Sequence, residues 1–213
     1  MIQNIFHIVM HLSDYLPTYF QEYGTIIYLV LFAIIFCETG LVITPFLPGD
    51  SLIFAASAVA VGANANIFIL FVVFFAAAIL GNTSNYYIGL AIGKKIYNKP
   101  THRFIKKESL DSAMDFFNRR GGAAIILTRF MPIIRTFTPF VAGISEMKAR
   151  SFTYYNLIGG FLWVAVFAAA GYFFGEQPFV KDNISTIMIA IVVISLLPAI
   201  ITWVVKKIKK QKV

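Results

Sequence analysis

FCETGLVITPFLPGD, residues 36–50, sets two carboxylates and two prolines inside an otherwise apolar run. Residues 26–37 before it and SLIFAASAVA (51–60) after it are greasy enough to sit in a bilayer. A charge in hydrocarbon costs several kcal/mol unless it is paired or hydrated. Irregular backbone at that depth is tolerated only where protein or a water-filled cavity surrounds it. The stretch therefore reads as the turn of a broken helix that folds back, and the rest of the chain shows what it folds back against.

The chain has 213 residues, 59% hydrophobic and 13% charged, with 22 Phe and a mean hydropathy of +0.77. Soluble domains carry about 25% charged residues, so this composition marks an integral membrane protein. The length suits a single transmembrane domain, 1–213. Cys37 is the single cysteine, which excludes an internal disulfide and a Cys-based zinc site. The net charge of +8 is not spread like a nucleic-acid footprint. Lys94, Lys95, Lys99, Arg103, Lys106, Lys107, Arg119 and Arg120 crowd one connecting segment, and KKIKKQK comes near the end of the chain. Basic residues beside spans lie on the cytoplasmic side, where they can also meet anionic lipid headgroups.

Three runs are long enough to cross, 67–92, 152–174 and 184–205, each meeting the roughly 20 residues that a hydrocarbon core of about 30 Å requires. Two more are interrupted: 26–62 by Pro45 to Asp50, and 122–145 by Pro132 and Pro139, with Arg129 and Arg135 inside it. If 122–145 crossed fully from the basic cytoplasmic segment (94–121), the KKIKKQK tail would end outside, against the charge rule. A run that dips in and returns leaves the tail in the cytoplasm. The short helix expected from Asp50 to Gly62 argues likewise for a first hairpin, opening from the outside.

The expected fold is thus all-α and polytopic: two oppositely oriented re-entrant hairpins plus spanning helices in an inverted repeat. A plain bundle of spans is the competing architecture. The segment 1–23 lacks a signal-peptide pattern and reads as an amphipathic helix on the outer face, although a span is not excluded by its composition.

The two breaks carry opposite charge. Glu38 and Asp50 belong to the first, Arg129 and Arg135 to the second. Asp50, after Pro-Gly, also suits a helix N-cap. Glu38 follows twelve apolar-dominated residues with no turn signal beside it. Arg129 would snorkel in a plain span but is buried between folded-back limbs. Thr138-Pro139 resembles an N-cap followed by Pro at the first helical position, so a half-helix is expected to start there. Guanidinium forks bind phosphate oxygens bidentately and stay charged when buried. Neighbouring carboxylates can take up protons or hold the empty site together by ion pairing. The residues point to a carrier for an amphiphilic phosphate, with proton coupling through Glu38 and Asp50 as an option.

Several motifs are similar to the DedA family, also described as SNARE-associated or VTT-domain membrane proteins: ETGLVITPFLPGD (38–50), GNTSNYYIG (81–89), and within 117–163 RRGG, RFMPIIR, PFVAG and NLIGGFLW. The resemblance spans about residues 26–174. It implies a multi-pass protein of the bacterial inner membrane in which Glu38, Asp50, Arg129 and Arg135 are essential. It also implies transport of undecaprenyl phosphate or a phospholipid, or a role in proton-motive-force homeostasis. Members often carry Gly-Asp where this chain has Gly81-Asn82, which removes one ionisable group.

Asn82, Thr83, Ser84, Asn85 and Tyr86 form a polar patch inside 67–92; Asn82 and Tyr86 are added to the expected substrate path. Asn156 and Trp163 suit packing as well as a path. His7 and His11 have metal spacing but no third ligand, so no metal or cofactor is expected. The segment 106–122 reads as an amphipathic helix on the cytoplasmic surface. The expected partners are a lipid phosphate, membrane lipids and protons, with no nucleic acid; a homodimer is left open. The alternatives to a lipid-phosphate transporter are a proton or cation antiporter, a membrane-embedded phosphatase or transferase, and an assembly partner. The enzyme reading is disfavoured because His7, His11 and His102 lie away from the charged residues.

Overall fold

A helix that is apolar on every side finds its place only inside a large core or in lipid. Thr25–Gly40, Gly49–Gly62, Ile67–Tyr97 and Ala149–Phe174 are close to that kind, whereas Pro132–Ile144 is two-faced. The computed structural model describes residues 24–41, 49–62, 65–97, 121–184, 186–191 and 193–194, with Phe20 and Glu22. Among these the chain is helical, without strands. In order, the helices are α1 (Thr25–Gly40), α2 (Gly49–Gly62), α3 (Ile67–Tyr97), α4 (Ala123–Thr128), α5 (Pro132–Ile144), α6 (Ala149–Phe174) and the short α7 (Pro178–Asp182). Most of 184–194 is also helical.

Two stretches are long and apolar enough to cross a membrane, Ile67–Gly93 with 27 residues and Ala149–Phe174 with 26. Both helices outrun the apolar runs that announce them. The first continues through Lys94 and Lys95 to Tyr97, and the second starts at Ala149, because hydropathy ends where the lipid does while backbone hydrogen bonding carries on. Asn66 caps α3, its Oδ1 accepting from the N–H groups of Phe68 (2.9 Å) and Ile69 (3.2 Å).

The two long helices are antiparallel. Leu70, Phe74, Ala77 and Ala78, early in α3, share an apolar cluster with Trp163, Val164 and Ala168, late in α6. Tyr86, later in α3, shares a second cluster with Phe152 near the start of α6. Between the clusters, both helices present polar residues: Asn82 and Asn85 on α3, Asn156 on α6. The short helices pack crosswise. α1 lies on α3 and α4 on α6, whereas α2 lies on α6 and α5 on α3. Small residues permit the close crossings. A Cβ at Gly171 of α6 would collide with the Phe54 carbonyl of α2, and one at Gly143 of α5 with the Tyr86 carbonyl of α3.

The outer faces are the reverse of a soluble protein's. Leu29 (68% exposed), Phe68 (71%) and Phe173 (71%) stand outward, while Glu38 (0%) is fully enclosed. Apolar area on this scale needs a lipid or protein partner.

The second break differs from the expectation. The half-helix starts at Pro132, after an extended Met131, and Pro139 lies inside it. Thr138 caps nothing; its hydroxyl donates back to the Ile134 carbonyl at 2.8 Å. Both prolines suit a first helical position, and the one behind the extended residue takes it. The N-terminal segment up to residue 19 with His7 and His11, the prolines at 45 and 48, the segment 98–120 with His102, and residues 195–213 lie outside the described residues.

Candidate functional site

The buried stripe of α1 runs Ile27, Leu31, Ile35, Glu38, so helical spacing alone aims the carboxylate of Glu38 along the face that packs inward. There it meets the start of α2. The Gly49 N–H donates to Glu38 Oε1 at 3.3 Å. A Cβ on Gly49 would come within 2.6 Å of the Glu38 carboxyl carbon, so only glycine allows this approach. Asp50 occupies the first turn of α2 rather than a position ahead of it. Its Oδ1 accepts from the Trp163 indole N–H at 2.8 Å.

Arg135 of α5 joins both acids. One terminal nitrogen, Nη1, donates to Asp50 Oδ1, and the other, Nη2, to Glu38 Oε1. All three side chains are buried. The fork thus spans carboxylates from both sides of the first break, one terminal nitrogen to each. The guanidinium carbon lies 4.9 Å from the centre of the Trp163 ring, within cation–π range.

Arg129, at the C-cap of α4, is equally buried but held differently. Its Nη2 donates to Asn156 Oδ1 and reaches the Asn156 carbonyl at 3.4 Å. Among the described residues no carboxylate pairs with it, and its Nε has no hydrogen-bond partner. The side chain lies across a glycine step of α6. A Cβ at Gly159 would sit 3.1 Å from Arg129 Cδ, and one at Gly160 would sit 3.3 Å from Nη2. Trp163 is near this guanidinium too, at 6.0 Å.

The opposite charges of the two breaks are brought together unequally. One arginine takes both carboxylates and the other takes an amide. The difference follows from helix register: α5 carries Arg135 to the α1–α2 break, while α4 faces α6.

Of the other expected residues, Asn82 joins the site indirectly, its Nδ2 donating to Asn156 Oδ1 at 3.1 Å. Tyr86 does not join the charges. Its hydroxyl donates to the Met147 carbonyl and its ring stacks on Phe152 at 4.3 Å between centroids. Four residues beyond Asn82, it lies one turn further along the same face of α3 and packs there on the start of α6.

Three residues matter more than their sequence suggests. Asn156 and Trp163 bind the arginines. Asn85 ties the two breaks together, its Nδ2 donating to the carbonyls of Thr39 (3.3 Å) and Thr136 (2.7 Å). Position in the polar patch is the only signal Asn85 carries.

This arrangement, a buried cluster of opposite charges at the ends of short helices, is that of a membrane protein with a polar centre. Residues 47–173 match the VTT domain, and the chain belongs to the DedA family of VTT-domain membrane proteins. It is 46% identical over 203 residues to Protein DedA of Escherichia coli K12, covering 94% of this chain and 91% of that protein. A membrane protein of Mycobacterium leprae is 40% identical over 168 residues, 79% of this chain and 75% of its own. Inner membrane protein YghB of Salmonella typhimurium is 33% identical over 190 residues, 88% and 87% of the two chains. No solved structure matches the chain.

Proposed function

We propose that this protein is a transporter that moves a lipid phosphate across the bacterial cytoplasmic membrane, with Arg129 as the group that receives the phosphate. The observation behind this is the buried guanidinium of Arg129, which faces an amide instead of a carboxylate. A cation held in low dielectric without a counter-charge attracts an anion strongly. Phosphate oxygens suit the guanidinium fork. The apolar outer faces of the helices suit a substrate whose tail stays in lipid. The family resemblance puts undecaprenyl phosphate first and a phospholipid second.

The architecture proposed is a pair of re-entrant hairpins, α1–α2 and α4–α5, in an inverted repeat with α3 and α6 as spans. The crosswise packing supports it, since each hairpin sets its first limb on its own span and its second limb on the other. Arg135, Glu38 and Asp50 form the brace that keeps the two hairpins in contact. Formal charges supply the link to protons. The brace sums to −1 and Arg129 to +1, so an arriving phosphate makes the cluster net negative. A proton on Glu38, whose Oε2 is buried without a hydrogen-bond partner, restores the balance. The C-terminal tail is placed in the cytoplasm by its basic residues.

That same Oε2 favours the second reading, a proton or cation antiporter in which the arginines only hold the acids. The two are separated by flux in vesicles containing the purified protein. A fluorescent polyprenyl phosphate should cross with wild type and not with Arg129→Gln. Proton or cation flux that needs no lipid phosphate and survives Arg129→Gln would favour the antiporter.

A further inference from the structure

Arg129 has its terminal nitrogen on Asn156, and the surroundings of that amide are unusual. Oδ1 accepts from both Arg129 Nη2 and Asn82 Nδ2. Nδ2 donates to the Ile79 carbonyl and the Thr83 hydroxyl, each at 3.3 Å. The side chain is fully buried at the contact between α3 and α6. Four hydrogen-bonding groups thus hold it, and Arg129 is one of them.

We infer that Asn156 is an internal competitor for the anion that Arg129 binds, its amide oxygen standing where a phosphate oxygen sits when the site is loaded. The inference rests on the lipid-phosphate reading above and names the residue that sets how tightly that site holds its ligand. An amide oxygen satisfies the guanidinium's geometry without neutralising its charge. A phosphate oxygen offers the same geometry together with an opposite charge, and in a low-dielectric site that coulombic attraction lets it displace the neutral amide. When Arg129 leaves, Asn156 keeps Asn82, Ile79 and Thr83, so the exchange strands no buried polar group. An aspartate at 156 would instead give Arg129 a permanent counter-ion and close the site. A transporter must release what it binds, and a neutral competitor allows that.

The test uses the full-length protein in detergent micelles with Trp203→Phe, which leaves Trp163, 6.0 Å from Arg129, as the single tryptophan. Dodecyl phosphate is titrated against Trp163 emission, with inorganic phosphate in parallel. Asn156→Asp should bind dodecyl phosphate about tenfold more weakly than the parent or worse, because a carboxylate now faces the incoming anion. Asn156→Ala should bind at least as tightly as the parent, its Arg129 having lost its acceptor.

Two results overturn the competitor role. One is Asn156→Asp binding within about twofold of the parent. The other is Asn156→Ala losing as much affinity as Asn156→Asp, which is what a purely structural asparagine would give. Failure of the underlying reading looks different: the parent responds to neither dodecyl phosphate nor inorganic phosphate, or Arg129→Gln responds as the parent does. The competitor role then falls with it. A response to inorganic phosphate alone supports the competitor and moves the ligand from a lipid to a free phosphate.

Discussion

Arg129 and Arg135 lie one and a half helical turns apart in sequence, are almost equally buried, and are held in opposite ways. Arg135 is neutralised beyond its own charge by Glu38 and Asp50, drawn from the two helices of the first break. Among the described residues, Arg129 donates its hydrogen bonds to the amide and carbonyl of Asn156. Two identical side chains therefore have different partners: Arg135 joins two carboxylates, whereas among the described residues Arg129 faces an amide, which is why the proposal gives it the phosphate. Burial alone would not separate them; the identity of the partner atoms does.

The largest effect should come from breaking the closed side. Arg135→Gln leaves two carboxylates buried without their cation, and removing one partner of a buried pair costs about 3–5 kcal/mol. Its thermal unfolding in micelles should fall well below wild type, and transport should be lost with it. A midpoint near that of wild type would mean that Arg135 is not the brace between α5 and the α1–α2 break.

Next comes Gly49→Ala. The added Cβ collides with the Glu38 carboxylate, and overpacking of this kind costs about 1–3 kcal/mol. Proteolysis of the folded protein should become faster, whereas an unchanged rate would show that the α1–α2 break yields easily. Trp163→Phe keeps an aromatic face for the arginines but removes the 2.8 Å hydrogen bond to Asp50. A loss of about 1.5–3 kcal/mol is expected for a hydrogen bond to a charged group, read from denaturant unfolding in micelles. The smallest effect belongs to Tyr86→Phe. It loses only the hydroxyl contact with Met147, about 1 kcal/mol, and should transport at the wild-type rate; a transport defect would return Tyr86 to the substrate path.

The four ionisable residues stood out in the sequence for a physical reason: charge in an apolar run is expensive, so its presence demands a partner or a task. That logic reads Glu38, Asp50, Arg129 and Arg135 as a group without any coordinates. It does not say which cation takes which anion, because the division depends on the register of α4 and α5. The start of α5 was ambiguous for a similar reason, since Pro132 and Pro139 both satisfy the rule for a first helical position. Asn156 and Trp163 were harder still. Neutral polar residues cost little in a packed membrane interior and suit packing as well as function, so only their contacts reveal them. Tyr86 is a polar neighbour of Asn82 one helical turn along the same face, and that step takes it from the charges to Phe152.

The contrast between the two arginines is tested most directly by thermal unfolding of wild type and Arg129→Gln in micelles, each with and without dodecyl phosphate. Ligand that binds only the folded protein raises the midpoint. Wild type should shift upward with the lipid phosphate, while Arg129→Gln should fold as well or nearly so and show no shift. An equal shift in both proteins would contradict the assignment of the phosphate to Arg129.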